Sequence, residues 1–166
     1  MRVLAIDPGE RRLGLAISDP TGAIALPLEV MARAGWARDL AYLRRLIEAQ
    51  QVGEIVVGRP LTTRGTVGPQ AQVAARFAAR LREALALPVF EVDERFSTAA
   101  AERALREGRR RGSDRRGHDR RGSDGRGSDR RARRDAVAAA LILQPYLDRR
   151  RAEALRGSGE DVMLAP

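Results

Sequence analysis

Cysteine is absent from this chain of 166 residues. That excludes disulfides, zinc–thiolate centres and cysteine nucleophiles, and nothing argues for an oxidising compartment. Histidine occurs once, as His118, inside a repetitive tract where it replaces a serine, so it is not expected to act as a catalytic base. Lysine is missing too: all 31 basic residues are Arg. Arg suits planar, bidentate contact with phosphate, although uniform Arg usage is equally a mark of genome composition. No apolar run approaches the roughly 18 residues needed to span a bilayer. The N-terminus begins a strand at once, without the charged, apolar and small-residue series of a secretory leader. A cytoplasmic protein with no membrane partner is expected.

What is present suits one folded domain. Hydrophobic residues make up 43% of the chain, enough for a real core, and the length is too small for two large domains. The formal charge is +9 and is unevenly placed: residues 109–134 hold 12 Arg and 4 Asp, a net of +8. Within that stretch a five-residue unit recurs, RGSDR, RGHDR, RGSDG, RGSDR, over residues 111–130. Gly, Ser, Asp and Arg without apolar residues bury too little surface to offset ordering entropy, so this insert is expected to be disordered when free. The period matches neither a solenoid unit nor a coiled coil.

Hydrophobic patterning outlines an α/β chain. Residues 2–7 read as a buried strand and residues 12–18 as an alternating one, with Leu13, Leu15 and Ile17 on one face. Residues 24–30 are a third strand, pushed towards an edge or bulge by Pro27. Residues 36–50 are helical, with Trp36, Leu40, Leu43 and Ile47 inward and Arg38, Asp39 and Arg44 elsewhere. Residues 54–58 form a short strand. Pro69 opens a second helix whose face is marked by Val73, Phe77, Leu81 and Leu85. Residues 88–93 form a strand, and Ser97 or Thr98 caps a helix to about Glu107. A last helix is expected to begin at Asp135, with Val137, Leu141, Ile142 and Tyr146 inward, followed by a loose tail from about Arg151.

Three acidic motifs stand where strands end or helices begin, the edge at which open α/β sheets build sites. The first is Asp7 in VLAIDPG, where Gly9 permits close backbone approach; an Asp opening a turn is its plainer reading. The second is Glu94 in VFEVDERFST, where Asp93 and Arg95 form either a surface pair or a carboxylate restrained beside a phosphate. The third is Asp135 in RRDAVAAALILQPYL, a carboxylate that as a first-turn residue would simply suit the helix dipole. Three carboxylates without cysteine point to a hard divalent cation, which prefers oxygen ligands. On a strongly basic chain the simplest reading is a nuclease. Arg59, Thr62, Thr63, Arg64 and Thr66 form a polar loop able to hold a backbone phosphate or to stand as ordinary solvated loop. The arginine tract, ending at Arg133 and Arg134, adds salt-dependent affinity for polyphosphate.

Taken in order, these motifs resemble the YqgF/RuvX family of RNase H-like nucleases over roughly residues 1–150, apart from the tract. VLAIDPGERRLGLAIS is similar to the family's opening strand, turn and strand, EIVVGRPL to its central motif, VDERFST to its Asp-Glu-Arg motif and RDAVAAALILQPYL to its closing helix. The resemblance implies an α/β, RNase H-like fold with a five-stranded mixed sheet flanked by helices, in one domain over residues 1–150 with an insert at about 109–134 and a tail at 151–166. It implies Asp7, Glu94 and Asp135 as catalytic, metal-binding acids, with Mg²⁺ or Mn²⁺ as cofactor. Arg59, Arg64, Arg95, Ser97, Thr98, Arg133 and Arg134 are the candidate nucleic-acid contacts. Expected partners are structured RNA, branched DNA and ribosomal precursor particles, and the expected state is a monomer or homodimer. Processing of the 16S ribosomal RNA precursor is the first functional expectation. A Holliday-junction resolvase and a non-catalytic RNA- or ribosome-binding module are the alternatives. An ATPase of the actin and sugar-kinase type would need two such lobes, and this length supplies one.

Overall fold

A computed structural model describes residues 1–60, 68–93 and 126–160, the last stretch by its backbone alone at 126–133 and 157–160. Five strands form one sheet: β1 (Arg2–Pro8), β2 (Arg12–Ser18), β3 (Ala25–Ala32), β4 (Val52–Arg59) and β5 (Val89–Asp93). Their order is β3-β2-β1-β4-β5. The first three strands form an antiparallel meander, and β4 and β5 run parallel to β1. Helices α1 (Trp36–Gln50) and α2 (Pro69–Ala84) supply the β3-to-β4 and β4-to-β5 connections, and α3 (Arg126–Glu160) closes the described chain. No helix among the described residues is long and apolar enough to cross a membrane.

The strands alternate by face, and the two faces differ in side-chain size. On one face Leu4, Ile6, Leu13, Leu15, Ile17, Ile55 and Val57 pack with Leu43 of α1 and Phe77, Ala78 and Leu81 of α2. On the other, Val3, Ala5, Ala16 and Val56 receive Ala139, Ala140, Ile142, Leu143, Tyr146 and Leu147 of α3. Small residues on the second face let a single alanine-rich helix lie close to the sheet. Tyr146 also donates its hydroxyl to Glu54, whose other oxygen is 3.0 Å from Arg150. Burial, reinforced by that carboxylate, pushes the phenol far above its ordinary pKa.

Pro27 behaves as its missing N–H requires. It lies on β3, an edge strand, at a register shift: Leu15 pairs with Glu29 but Ala16 with Pro27, leaving Leu28 bulged. Pro69 opens α2 as expected. Two inward assignments and one outward assignment need correction. Val73 is exposed, because the buried stripe of α2 runs through Ala71, Ala74, Phe77, Ala78 and Leu81. Val137 is also exposed: Ala136, Ala138, Ala139 and Ala140 make the contact, since only small side chains fit so near the sheet. Asp39, placed off the apolar face of α1, is buried.

Helix α3 also differs from expectation at both ends. It begins at Arg126, inside the stretch expected to be disordered, and continues to Glu160 beyond the expected start of the tail. Residues after the docked core of the helix join it at the small cost of propagation rather than nucleation, and Arg and Ala are good helix formers. The helix expected from Ser97 to Glu107 lies outside the described residues.

The β2–β3 turn is built around Asp19. Its Oδ1 accepts from the backbone N–H groups of Ala23 (2.8 Å) and Ile24 (2.9 Å), and its Oδ2 from Thr21 N–H (3.1 Å) and the Thr21 hydroxyl. The Thr21 hydroxyl first, then the Ile24 N–H, hold this carboxyl well below its ordinary value of 3.8. A depressed carboxylate stabilises the fold above its unfolded pKa, and that contribution is lost as pH falls through and below 3.8. The gap in urea midpoint between wild type and Asp19→Asn should therefore be widest at neutral pH and close in strong acid. A gap that does not change with pH would remove Asp19 from the acid response.

Candidate active site

Asp7 and Asp135 meet because of a glycine. Asp7 lies near the carboxyl end of β1, on the same face as Val3 and Ala5, and pairs across the antiparallel ladder with Gly14 of β2. A Cβ added at Gly14 would stand 2.3 Å from the Asp135 carbonyl oxygen and 2.8 Å from its carbonyl carbon. It would also lie 3.5 Å from the Cβ of Asp7. The missing side chain is therefore the space into which α3 settles, and it brings the backbone of Asp135 against the strand pair that carries Asp7. Both acids are half-buried, and each has a polar or electrostatic partner.

Asp135 is not in the first turn of its helix, because α3 begins at Arg126. The helix dipole acts mainly within the first turn, so the simple dipole account of Asp135 does not hold. Ala136 and Ala138–Ala140 behind it are buried against the sheet, so Asp135 marks the point where the docked part of α3 reaches the sheet's edge.

Asp7 shares that edge with the ends of the other parallel strands. Ile6 pairs with Val57, Gly58 with Val92, and Arg59 with Asp93, so the carboxyl ends of β1, β4 and β5 finish side by side. Neighbouring strands stand about 4.8 Å apart. Arg59 is half-exposed there, with its Nη1 3.3 Å from Glu91 Oε2, and Glu91 Oε1 lies 3.1 Å from Arg82 Nη2. The Arg59 guanidinium is thus tethered at the edge rather than free in a loop. Arg134 is exposed beside Asp135.

The turn between β1 and β2 is tight. The Gly9 N–H donates to the carbonyls of Asp7 (3.1 Å) and Arg12 (2.9 Å), and a Cβ at Gly9 would stand 2.8 Å from the Arg12 oxygen. Glu94, Arg64, Arg95, Ser97 and Thr98 lie outside the described residues, as does the side chain of Arg133. The structure thus joins two of the three expected acids, and among the described residues no group of three His, Cys, Asp or Glu side chains could hold a metal ion. Gly14 escaped the sequence reading, although an isolated glycine inside the alternating strand RLGLAIS is itself a signal of close backbone approach.

The RuvX family model, described as Holliday junction resolvase, matches residues 1–149. The chain belongs to the RuvX family. A relative from Roseiflexus sp. (strain RS-1), provisionally named a pre-16S rRNA nuclease, is 41% identical over 150 residues, covering 90% of this chain and 96% of the relative. A relative of the same provisional name from Geobacillus kaustophilus (strain HTA426) is 42% identical over 153 residues, covering 91% of this chain and 100% of the relative. Among solved structures, T. thermophilus RuvC in complex with Holliday junction substrate superposes with a TM-score of 0.50 at 20% identity, covering 90% of this chain and 96% of that one. The fold is RNase H-like, with a five-stranded mixed sheet flanked by helices.

Gly14→Ala should separate the two acids. A Cβ 2.3 Å from the Asp135 oxygen must push α3 away from β2, an overpacking cost of about 1–3 kcal/mol. The expected result is a folded protein with a lowered thermal midpoint and little metal-dependent cleavage. Full cleavage in Gly14→Ala would show that the juxtaposition is not required.

Proposed function

We propose that this RuvX-family protein is a metal-dependent nuclease, built as one domain over residues 1–150, that trims the 5′ end of the 16S ribosomal RNA precursor in the cytoplasm. The observation that carries the reading is the convergence of Asp7 and Asp135 across Gly14 at the carboxyl edge of the sheet. Relatives sharing about two-fifths of its residues over nearly their whole length carry the matching provisional name.

The donor chemistry fits a hard cation. Two carboxylates arrive from separate elements, no thiol exists in the chain, and oxygen donors suit Mg²⁺ or Mn²⁺. Glu94, which directly follows Asp93 in the sequence, is proposed as the third acid. A bound Mg²⁺ or Mn²⁺ supplies charge stabilisation at the phosphodiester and a more acidic water. Asp7 and Asp135 hold and orient that charge on rigid elements, a strand end and a docked helix. The half-exposed Arg59 and the exposed Arg134 are the cations suited to the flanking phosphates, and Arg64, Arg95, Ser97, Thr98 and Arg133 are further proposed contacts. The arginine tract contributes attraction that weakens with salt and ignores sequence.

The description of the family model supports a second reading, a resolvase acting on branched DNA. Symmetric cleavage of a junction requires two sites, hence a dimer.

Wild type, Asp7→Asn and Asp135→Asn should be compared on a labelled precursor RNA and a four-way DNA junction, with Mg²⁺, Mn²⁺ or EDTA at fixed salt. The expected outcome is RNA cleavage with either ion, none in EDTA, and a loss of at least about 100-fold in both variants with folding retained. Paired symmetric nicks in the junction would transfer the assignment to the resolvase. Binding of both substrates without cleavage by wild type would leave a nucleic-acid-binding module on a nuclease fold.

A further inference from the structure

The buried carboxylate of Asp39 takes no part in the proposed chemistry, yet it stands at the centre of a network that ends on the turn after Asp7. Asp39 lies in the first turn of α1 with its side chain 1% exposed. Its Oδ1 accepts from the Ala34 N–H (2.9 Å), and its Oδ2 lies 3.4 Å from Nε of Arg33. A carboxylate so buried requires a charged partner, and Arg33 provides it. Arg33 then reaches in two further directions. Its Nη1 donates to the Gly9 carbonyl (3.2 Å), and its backbone N–H donates to the Arg11 carbonyl (3.0 Å). Its guanidinium carbon lies 5.4 Å from the centroid of the Phe77 ring of α2, which meets Trp36 of α1 edge-on at 5.8 Å.

Arg33 thus grips two carbonyls of the β1–β2 turn, one through its guanidinium and one through its backbone N–H, while its side chain is anchored to Asp39 at the start of α1 and lies against Phe77 in the middle of α2. We infer that the Arg33–Asp39 pair is a positioning clamp that sets the Asp7–Gly9 turn against the main core, and through it the direction in which Asp7 meets a metal. Neither residue touches the reacting atoms; both act through Gly9. The energetic logic is that of a buried pair: Asp39 fixes the guanidinium through Nε, and an N–H on Nη1 is then directed at the turn. Fixed donors of this kind hold a site more closely than a free turn would. The inference rests on the reading of Asp7 as a metal-binding acid, so its test includes a measurement independent of cleavage.

Arg33→Met, Asp39→Asn and the double variant should be prepared in the full chain. Each single change leaves an unmatched group in the core and is expected to lower the thermal midpoint. The double variant removes both charges and should recover most of that loss, while the Gly9 carbonyl still lacks its donor. Three quantities are then compared with wild type: amide hydrogen exchange at Gly9 and Arg12, the Mn²⁺ concentration for half-maximal cleavage, and kcat against KM for RNA. The clamp predicts that the double variant exchanges about tenfold faster in the turn, the equivalent of one charge-assisted hydrogen bond. It also predicts a raised Mn²⁺ requirement and a lowered kcat at nearly unchanged KM. A double variant that regains stability together with wild-type exchange and Mn²⁺ requirement would overturn the inference and reduce the pair to charge balance within the fold. If wild type itself does not cleave, the nuclease reading falls, and turn exchange alone decides the clamp: faster exchange upholds it and unchanged exchange overturns it.

Discussion

Everything distinctive about the site depends on one steric contact, the approach of the Asp135 backbone to Gly14. Helices usually pack on sheets through side chains, which keep the backbones well apart. Here the strand has no Cβ where the helix crosses it, and the helix follows the crossing with buried Ala136 and Ala138–Ala140. The result is an unusually short distance between a helix backbone and a sheet. Two carboxylates remote in sequence therefore share one edge without any long side chain having to reach across.

The two faces of the sheet divide the remaining work. The α1–α2 face carries the large residues, among them Leu4, Ile6, Leu13, Leu15, Leu43, Ile55 and Leu81. It supplies most of the apolar burial that stabilises the domain. The α3 face is shallower and built from Ala5, Ala16, Ala139 and Ala140, with Ile142, Leu143 and Leu147 filling the space further from the site. Strand β1 belongs to both layers: Leu4 and Ile6 root it in the large core, while Ala5 and Asp7 face the helix. A carboxylate at the end of so fully buried a strand cannot swing far, which is what electrostatic work at a phosphodiester demands. The Arg33–Asp39 pair extends the same rigidity around the turn.

Much of this was legible because local patterns and global packing agree. The alternation of RLGLAIS, the helical spacing of Trp36, Leu43 and Ile47, Pro27 at an edge and Pro69 at a helix start each have a local cause that the tertiary structure leaves untouched. Val73 and Val137 failed for a shared reason. Pattern reading sends the larger apolar residue inward, whereas a tight helix–sheet contact selects alanine and turns the valine out. Asp39 failed because a charge is read as solvated unless its partner is visible. Arg33 is a loop residue whose role depends on where the turn at Gly9 lies in space. The start of α3 was misplaced because an Arg-, Gly- and Ser-rich stretch carries no apolar period to announce a helix.

By itself the sequence determined the class of the molecule and the kind of chemistry open to it. The absence of thiols, the order of strands and helices, and carboxylates at strand ends are properties of local composition and spacing. They survive whatever the chain does at long range. Only the tertiary structure decided which acidic residues come together, and by what means. Asp7 and Asp135 are separated by most of the chain, and their meeting depends on the space left at Gly14 and on which side chains of α3 are small enough to enter it. Such fit is a relation between surfaces, and no single stretch of residues contains it.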